Sequence, residues 1–239
     1  DFDNYDPLVG YSDLAREIRR EGYRLRPLSL THTGEIPSDC DILIVAGPKR
    51  PPAEEESARL EAFLAQGGRL LWLLDRVDYL PNGWENLLAR LSLRQAQATV
   101  VGAPRLAGQA LVIDRFGVHP ITRGLRGTTV YFVRPQVIVP FVPDDLPVME
   151  RPRVTAVVSA SPQSSILLDT YSPAETNRMI SGREDPWRLD GMDGYPLVVA
   201  VEKGAASGED LGLRPMRAVV FGDSHFVVNS LLAGGRTGD

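Results

Sequence analysis

Residues 41–78, DILIVAGPKRPPAEEESARLEAFLAQGGRLLWLLDRVD, spell a strand, a helix and a second strand, with polar residues where each strand ends. The run 42–46 is continuously apolar instead of alternating, the pattern of a strand covered on both faces, as in a parallel sheet clad with helices. Gly47 and Pro48 end it. Pro51 and Pro52 suit a helix start, where a missing N–H costs little, and Glu54, Glu55 and Glu56 set negative charge against the positive end of the helix dipole. Leu60, Phe63 and Leu64 give the buried stripe, Gly67 and Gly68 the stop, and 70–74 is again apolar throughout. Two strands joined through a helix predict parallel pairing with a right-handed crossover. In such sheets ligands bind beyond the carboxyl ends of the strands, so residues 47–50 and 75–78 mark the edge where a site would lie.

Outward from this unit, Ser12 is placed to cap a helix running to about Glu21, and 23–28 reads as a strand. A helix followed by a strand at the start implies a further strand upstream, because doubly wound sheets usually begin with one. Trp84, Leu87, Leu88 and Leu91 repeat at helical spacing within 82–91 and read as core. From residue 98 the texture changes to short β-type runs at 99–101, 110–113, 130–133, 137–139, 154–159 and 165–168. This predicts a first α/β part at 1–97, a β-rich insertion with a long polar loop (171–194) over 98–194, and closing strands 196–201 and 217–221 with a final helix in 195–239.

The 239 residues suffice for a full core, and the net charge of −5 argues against a nucleic-acid or anionic-membrane binder. Arg16, Arg19, Arg20, Arg24 and Arg26 form a basic run, interrupted by Glu17 and Glu21, that reads as a charged helix face. Cys40 is the only cysteine, which excludes an intramolecular disulfide and cysteine-rich metal motifs. There is no phosphate loop or dinucleotide fingerprint, so no cofactor is expected. No run of about 18 apolar residues occurs, so no membrane span is expected within this sequence.

Gly222-Asp223-Ser224-His225 follows a strand and opens a helix-like run at 226–232, the place where an exposed nucleophile or an anion contact is often built. A Ser esterase with a Gly-Asp-Ser block would carry it near the start of the domain, with a partner Asp and His near the end. Adjacent residues on a helix do not face each other, and nothing catalytic follows Ser224 except His225. A metallophosphoesterase would begin with Asp-x-His, but only His32 and His119 remain to supply further ligands, so no metal is expected. The plain alternative is that Asp223 or Ser224 caps the last helix. His119, before Pro120, reads as a structural hydrogen-bond donor, and His32 as a loop residue.

Four blocks together resemble a known family: GYSDLAREIRREGYRLRPLSL (10–30), IPSDCDILIVAGPKRPPAEEESARLEAFLAQGGRLLWLLD (36–75), HPITRGL (119–125) and AVVFGDSHFVVNSLL (218–232). In this order they are similar to the extracytoplasmic domain of GldG-like proteins, auxiliary components of uncharacterised and gliding-motility ABC transport systems. Ala46-Gly47-Pro48 and Gly222-Asp223-Ser224 with Asn229 carry the most specific part of the match. The resemblance implies a flavodoxin-like sandwich akin to class I glutamine amidotransferases, with a mainly parallel sheet. It also implies a membrane-anchored, periplasmic or cell-surface protein, tethered through segments outside this sequence. Its expected partners are an ABC permease or other transporter subunits, and its role non-catalytic. An amidotransferase needs a thiol at the strand-to-helix elbow, and after 70–74 this chain has Asp75 and Arg76 instead.

The sequence therefore predicts a binding edge for a partner subunit or a small polar ligand, formed by Lys49, Arg50, Asp75, Arg76, Asp223, Ser224 and His225. The competing expectation is a hydrolase using the 223–225 region.

Overall fold

The computed structural model describes residues 2–75, 83–102, 110–141, 151–161, 164–168, 194–204 and 214–234. Within 2–101 the chain forms α1 (Ser12–Arg20), α2 (Leu30–Thr33), β1 (Leu43–Ala46), α3 (Glu54–Ala65), β2 (Arg69–Leu73), α4 (Glu85–Arg90) and β3 (Leu93–Val101). Strands β4 (Ala110–Ile113), β5 (Val130–Val133), β6 (Gln136–Pro140), β7 (Arg153–Ser159), β8 (Ser165–Leu168), β9 (Pro196–Lys203) and β10 (Met216–Phe221) follow. A 3-10 turn (Pro120–Leu125) precedes β5, and a second one (His225–Val227) leads into α5 (Asn229–Gly234).

The opening unit folds as its sequence predicts. β1 and β2 pair in parallel, Leu43 opposite Leu70 and Ala46 opposite Leu73, and α3 joins them. The Glu56 carboxylate reaches back to the Ala53 N–H at 2.9 Å, which satisfies one of the orphan donors of the α3 N-terminus. Leu60 and Leu64 bury their side chains in the core with Leu70 and Trp72.

The expectation of a flavodoxin-like, mainly parallel sheet is overturned by the rest of the pairing. The main sheet has the order β1-β2-β10-β9-β7. β10 runs parallel to β2, but β9 is antiparallel to both β10 and β7. The other two sheets, β6-β3-β8 and β4-β5, are antiparallel throughout. The molecule is a mixed α/β fold with mostly antiparallel pairing and a β-rich body.

The physical reason lies in what covers the main sheet. Along β9, Val199 and Val201 face a core built with Leu60, Leu64, Leu87 and Leu88 of α3 and α4. Leu197, Val198 and Ala200 join a second core with Ala98, Val100, Val137, Val139 and Ile166 of the three-stranded sheet. Burial on both faces makes the run apolar throughout, whichever way its neighbour points. Fully burying each such Val or Leu contributes about 1.5–3 kcal/mol, so both layers weigh in the same strand. A β-sheet supplies the second cover where a doubly wound fold would use helices.

The inferred boundary between residues 97 and 98 falls inside β3, and β7 of the inferred insertion extends the main sheet. Residues 23–28 form no strand; Pro27 lacks a ladder donor, and Arg24 and Arg26 reach Asp39 at 3.0 and 2.5 Å. Ser12 is not the cap of α1 but lies in its first turn, after Tyr11. His32 belongs to α2, not to a loop. The closing helix is shorter than the apolar run at 226–232 suggests, because Val228 is extended (φ −69°, ψ 157°) and separates the 3-10 turn from α5. Residues 171–193 of the inferred long loop lie outside the described residues.

Candidate functional site

Because β1, β2 and β10 are parallel neighbours, their carboxyl ends fall side by side and bring residues from three distant stretches together. The ends are locked by backbone bonds: Gly47 N–H to Leu73 O and Leu74 N–H to Phe221 O, both 2.9 Å. Gly47 has φ +54°, and a Cβ there would lie 2.7 Å from the Tyr11 hydroxyl and 3.1 Å from Ser224 Oγ, so only glycine fits the turn. Gly222 faces a different restriction. A Cβ on it would lie 1.9 Å from the Gln136 carbonyl oxygen, which accounts for a glycine where β10 leaves the sheet against β6.

At the centre stands Asp75, nearly buried. Its Oδ2 forms an ion pair with Lys49 Nζ, and its Oδ1 lies 3.6 Å from His225 Nδ1. Asp223 Oδ1 lies 3.7 Å from the same ring nitrogen. Two carboxylates thus flank an imidazole, one of them also paired with an ammonium, and the Lys49 and His225 side chains reach solvent while the acids do not. Partial burial draws the Lys49 ammonium below its ordinary pKa.

Asp223 serves mainly as an organiser. Its Oδ2 accepts the Val133 N–H and its Oδ1 the His225 N–H, each at 2.7 Å. The expectation that Asp223 or Ser224 caps the last helix is not met: that helix begins only at Asn229, and Asp223 instead takes the first N–H of the 3-10 turn before it, while its bond to β5 adds a link that the sequence does not show. Ser224 is 1% exposed, and among the described residues its Oγ meets no partner at full hydrogen-bond geometry, its polar neighbour being the Tyr11 hydroxyl across Gly47. Burial pushes the Tyr11 phenol up, the nearby Ser224 hydroxyl partly offsets this, and the Asp223 charge adds to the rise.

Arg50 is directed elsewhere. Its guanidinium grips Glu56 in bidentate fashion, at 2.7 and 2.8 Å, and Thr31 Oγ1 donates to the same carboxylate at 2.8 Å. The Arg50 hydrogen bonds, with those from Ala53 N–H and Thr31, hold Glu56 down to about 2. Arg50 thus fastens the loop after β1 to α3 and α2 and does not join Lys49 beside Asp75. Arg76 and Asp78 lie outside the described residues.

Sequence reasoning missed the buried supports. Gln95 Nε2 donates to the Asp75 carbonyl oxygen at 2.9 Å and to Gln136 Oε1 at 2.5 Å, and the Gln136 N–H donates to Gly222 O at 2.8 Å. No local signal set them apart: Gln95 stands between Arg94 and Gln97 in β3, and Gln136 opens β6 directly after Arg134 and Pro135. His119, read as a structural donor, is instead an acceptor through Nδ1, which takes the Ile121 N–H at 3.3 Å and caps a 3-10 turn far from the edge in sequence. Burial pushes the Cys40 thiol up, away from the thiolate that nucleophilic chemistry needs.

Among the described residues, no group of three or more His, Cys, Asp or Glu is arranged to hold a metal ion. No described helix is long and apolar enough to cross a membrane. The basic run forms local pairs, including Arg16 with Asp13 at 2.6 Å and Arg20 with Glu17 at 2.8 Å.

A solved structure with a similar fold is the mmIFT52 N-terminal domain, at TM-score 0.56 and 14% identity, covering 93% of this chain and 83% of that one. At that identity the likeness concerns the fold alone, and it replaces the flavodoxin-like expectation. No curated protein matches the chain. Residues 9–91, which span α1 to α4 and include Gly47, Lys49 and Asp75, match the family model described as ABC-type uncharacterized transport system. Over that stretch, about a third of the chain, the sequence is similar to auxiliary components of ABC-type transport systems.

Proposed function

We propose that the chain is a non-catalytic, extracytoplasmic binding domain of GldG-like type, which engages a transporter subunit or a small polar ligand at the carboxyl edge of its main sheet. The observation that carries this reading is the Lys49–Asp75–His225 cluster, where strand ends from residues 46 to 225 converge and two polar side chains stay open to solvent. Mixed charge supported from beneath suits recognition, since the groups are already oriented and lose little freedom on binding. The family match supports the transport context, and a permease complex at the membrane is the partner class it brings. Tethering to the inner or plasma membrane by segments outside this sequence belongs to the same proposal.

A hydrolase at 223–225 is the weaker reading. A nucleophilic Ser224 needs a base on its hydroxyl. Its Oγ meets no partner at full hydrogen-bond geometry among the described residues, and both Asp223 oxygens are engaged by backbone N–H groups.

Site-specific photo-crosslinking tests the reading in cells. A crosslinker at position 49 should capture a permease subunit, and one at position 69, the opposite end of β2, should not. Equal capture from both positions, or from neither, contradicts the proposed edge.

A further inference from the structure

Residues 2–13 reach the same edge through Tyr11, beside Gly47, and their attachment is unlike that of an ordinary surface loop. Asn229, at the start of α5, holds them with both ends of its side chain. Its Nδ2 donates to the carbonyl oxygens of Asn4 (3.2 Å) and Asp6 (3.0 Å), while its Oδ1 accepts from the Asp13 N–H (2.9 Å) and Ser12 Oγ (3.3 Å). The backbone continues the seam, with Asn229 N–H to Gly10 O at 3.1 Å and Ser230 N–H to Pro7 O at 2.9 Å. Gly10 closes it, because a Cβ there would meet Asn4 O at 2.2 Å and Asn229 Nδ2 at 2.7 Å.

The loop also orders itself. Asn4 Oδ1 accepts the Asp6 N–H at 2.8 Å, and Asp6 Oδ1 accepts the N–H groups of Leu8 (2.8 Å) and Val9 (3.1 Å). Its apolar residues do not simply turn inward: Tyr5 is 81% and Leu8 68% exposed, whereas Tyr11 is 6% exposed. Tyr11 is the ring that lies against Gly47 and Ser224, with Phe2 packed on it at 5.8 Å between centroids.

We propose that residues 2–13 form a lid over the Ser224 side of the carboxyl edge, with Tyr11 as its seal and Asn229 as its clasp. Beneath it lies the buried Ser224 hydroxyl, whose polar neighbour among the described residues is the Tyr11 hydroxyl; it is able both to donate and to accept, with the Asp223 carboxylate as its chain neighbour. When the lid lifts, that hydroxyl and the open side of Gly47 become a subsite for a hydrogen-bonding group of a small neutral or cationic ligand; the Asp223 charge disfavours an anion. Asn229 lies five positions after Ser224, so a ligand at Ser224 and the clasp act on the same short segment. The subsite rests on the binding-edge reading, whereas the lid itself does not.

Thiol accessibility tests the lid without any partner. In a Cys40→Ser background, Ser224→Cys places a single near-isosteric thiol under Tyr11, and Ser38→Cys gives an exposed reference. Iodoacetamide should label position 224 far more slowly than position 38. Adding Asn229→Ala, or the milder Asn229→Asp that removes the two Nδ2 donors, should speed labelling at 224 roughly tenfold or more and leave position 38 unchanged. Hydrogen exchange should accelerate within 4–13 and 224–231 while β2, β9 and β10 keep their protection. Labelling at 224 that is fast with the clasp intact, or unchanged in both Asn229 variants, overturns the lid. So does loss of protection across β2, β9 and β10, which would make the clasp part of the core. Failure of the binding edge would appear separately, as crosslinking that does not depend on position 49.

Discussion

The Asp223 carboxylate accepts the backbone N–H of Val133 at 2.7 Å, across ninety residues of sequence, and so ties the end of β10 to the β4-β5 sheet. The Gln136–Gly222 backbone bond and the Gln95–Asp75 bond add two more ties between the β-rich body and the strand ends. The body is therefore the floor on which the edge is mounted, and the cluster around Asp75 depends in part on Gln95 and Gln136, which are buried.

Removing the first tie should be costly. Asp223→Ala leaves the part-buried Val133 and His225 N–H groups without their acceptor, and since a fully buried donor lost in this way costs about 1–3 kcal/mol, a destabilisation of about 2 kcal/mol is expected for the two together. Asp223→Asn keeps one acceptor oxygen and should lose roughly half as much. Urea denaturation measures both; an Asp223→Ala midpoint equal to wild type would mean that the ties are replaced by solvent.

Glu56 makes stability depend on pH in a stated window. Its folded pKa is lowered from 4.5 to about 2, so the folded state binds this proton less readily than the unfolded chain does. Its contribution is fully present above about 4.5 and is lost as pH falls through about 2. Arg50→Ala removes the largest cause of that depression, so Glu56 should titrate nearer its ordinary value and acid unfolding should begin at higher pH. The comparison needs only circular dichroism from pH 6 downward. Superimposable acid transitions would show that the Arg50–Glu56 pair is not coupled to folding.

Gly222→Ala should be among the most damaging single-methyl changes in the chain, because its Cβ would meet backbone, not a side chain that can turn away. Overpacking of this kind costs about 1–3 kcal/mol and more when the clash cannot relax, so a loss of about 3 kcal/mol is expected. Gly124→Ala, where the Cβ would meet nothing within 4 Å, serves as the control and should stay within about 0.5 kcal/mol. Similar thermal midpoints for the two variants would mean that β10 and β6 are less closely opposed than described.

The strand-helix-strand of 41–78 was readable because its signals are local: an apolar run, proline and glutamate at the helix start, glycine at its end. The polarity of β9 was not readable. Its run 196–201 is apolar through burial in two different cores, and periodicity cannot distinguish that from a parallel strand under helices. The edge was legible residue by residue at Lys49, Asp75, Asp223 and His225, since each follows a strand. Arg50 shares that position in sequence, but Glu56 lies within its reach and takes its guanidinium. Tyr11, Gln95, Gln136 and the Val133 N–H escaped notice because they reach the edge only through tertiary packing. Asn229 stood out within its motif, but nothing local shows that its amide would meet residues 4–13.

Binding at the Lys49–Asp75–His225 edge is tested most directly by equilibrium titration of the chain against its cognate permease complex in lipid nanodiscs. Wild type is compared with Asp75→Ala and with Arg217→Ala, which changes an exposed residue at the start of β10. Asp75→Ala should weaken binding about tenfold or more, roughly 1.4 kcal/mol, with Arg217→Ala close to wild type. An Asp75→Ala affinity equal to that of wild type, in a chain that still melts cooperatively, would contradict the account.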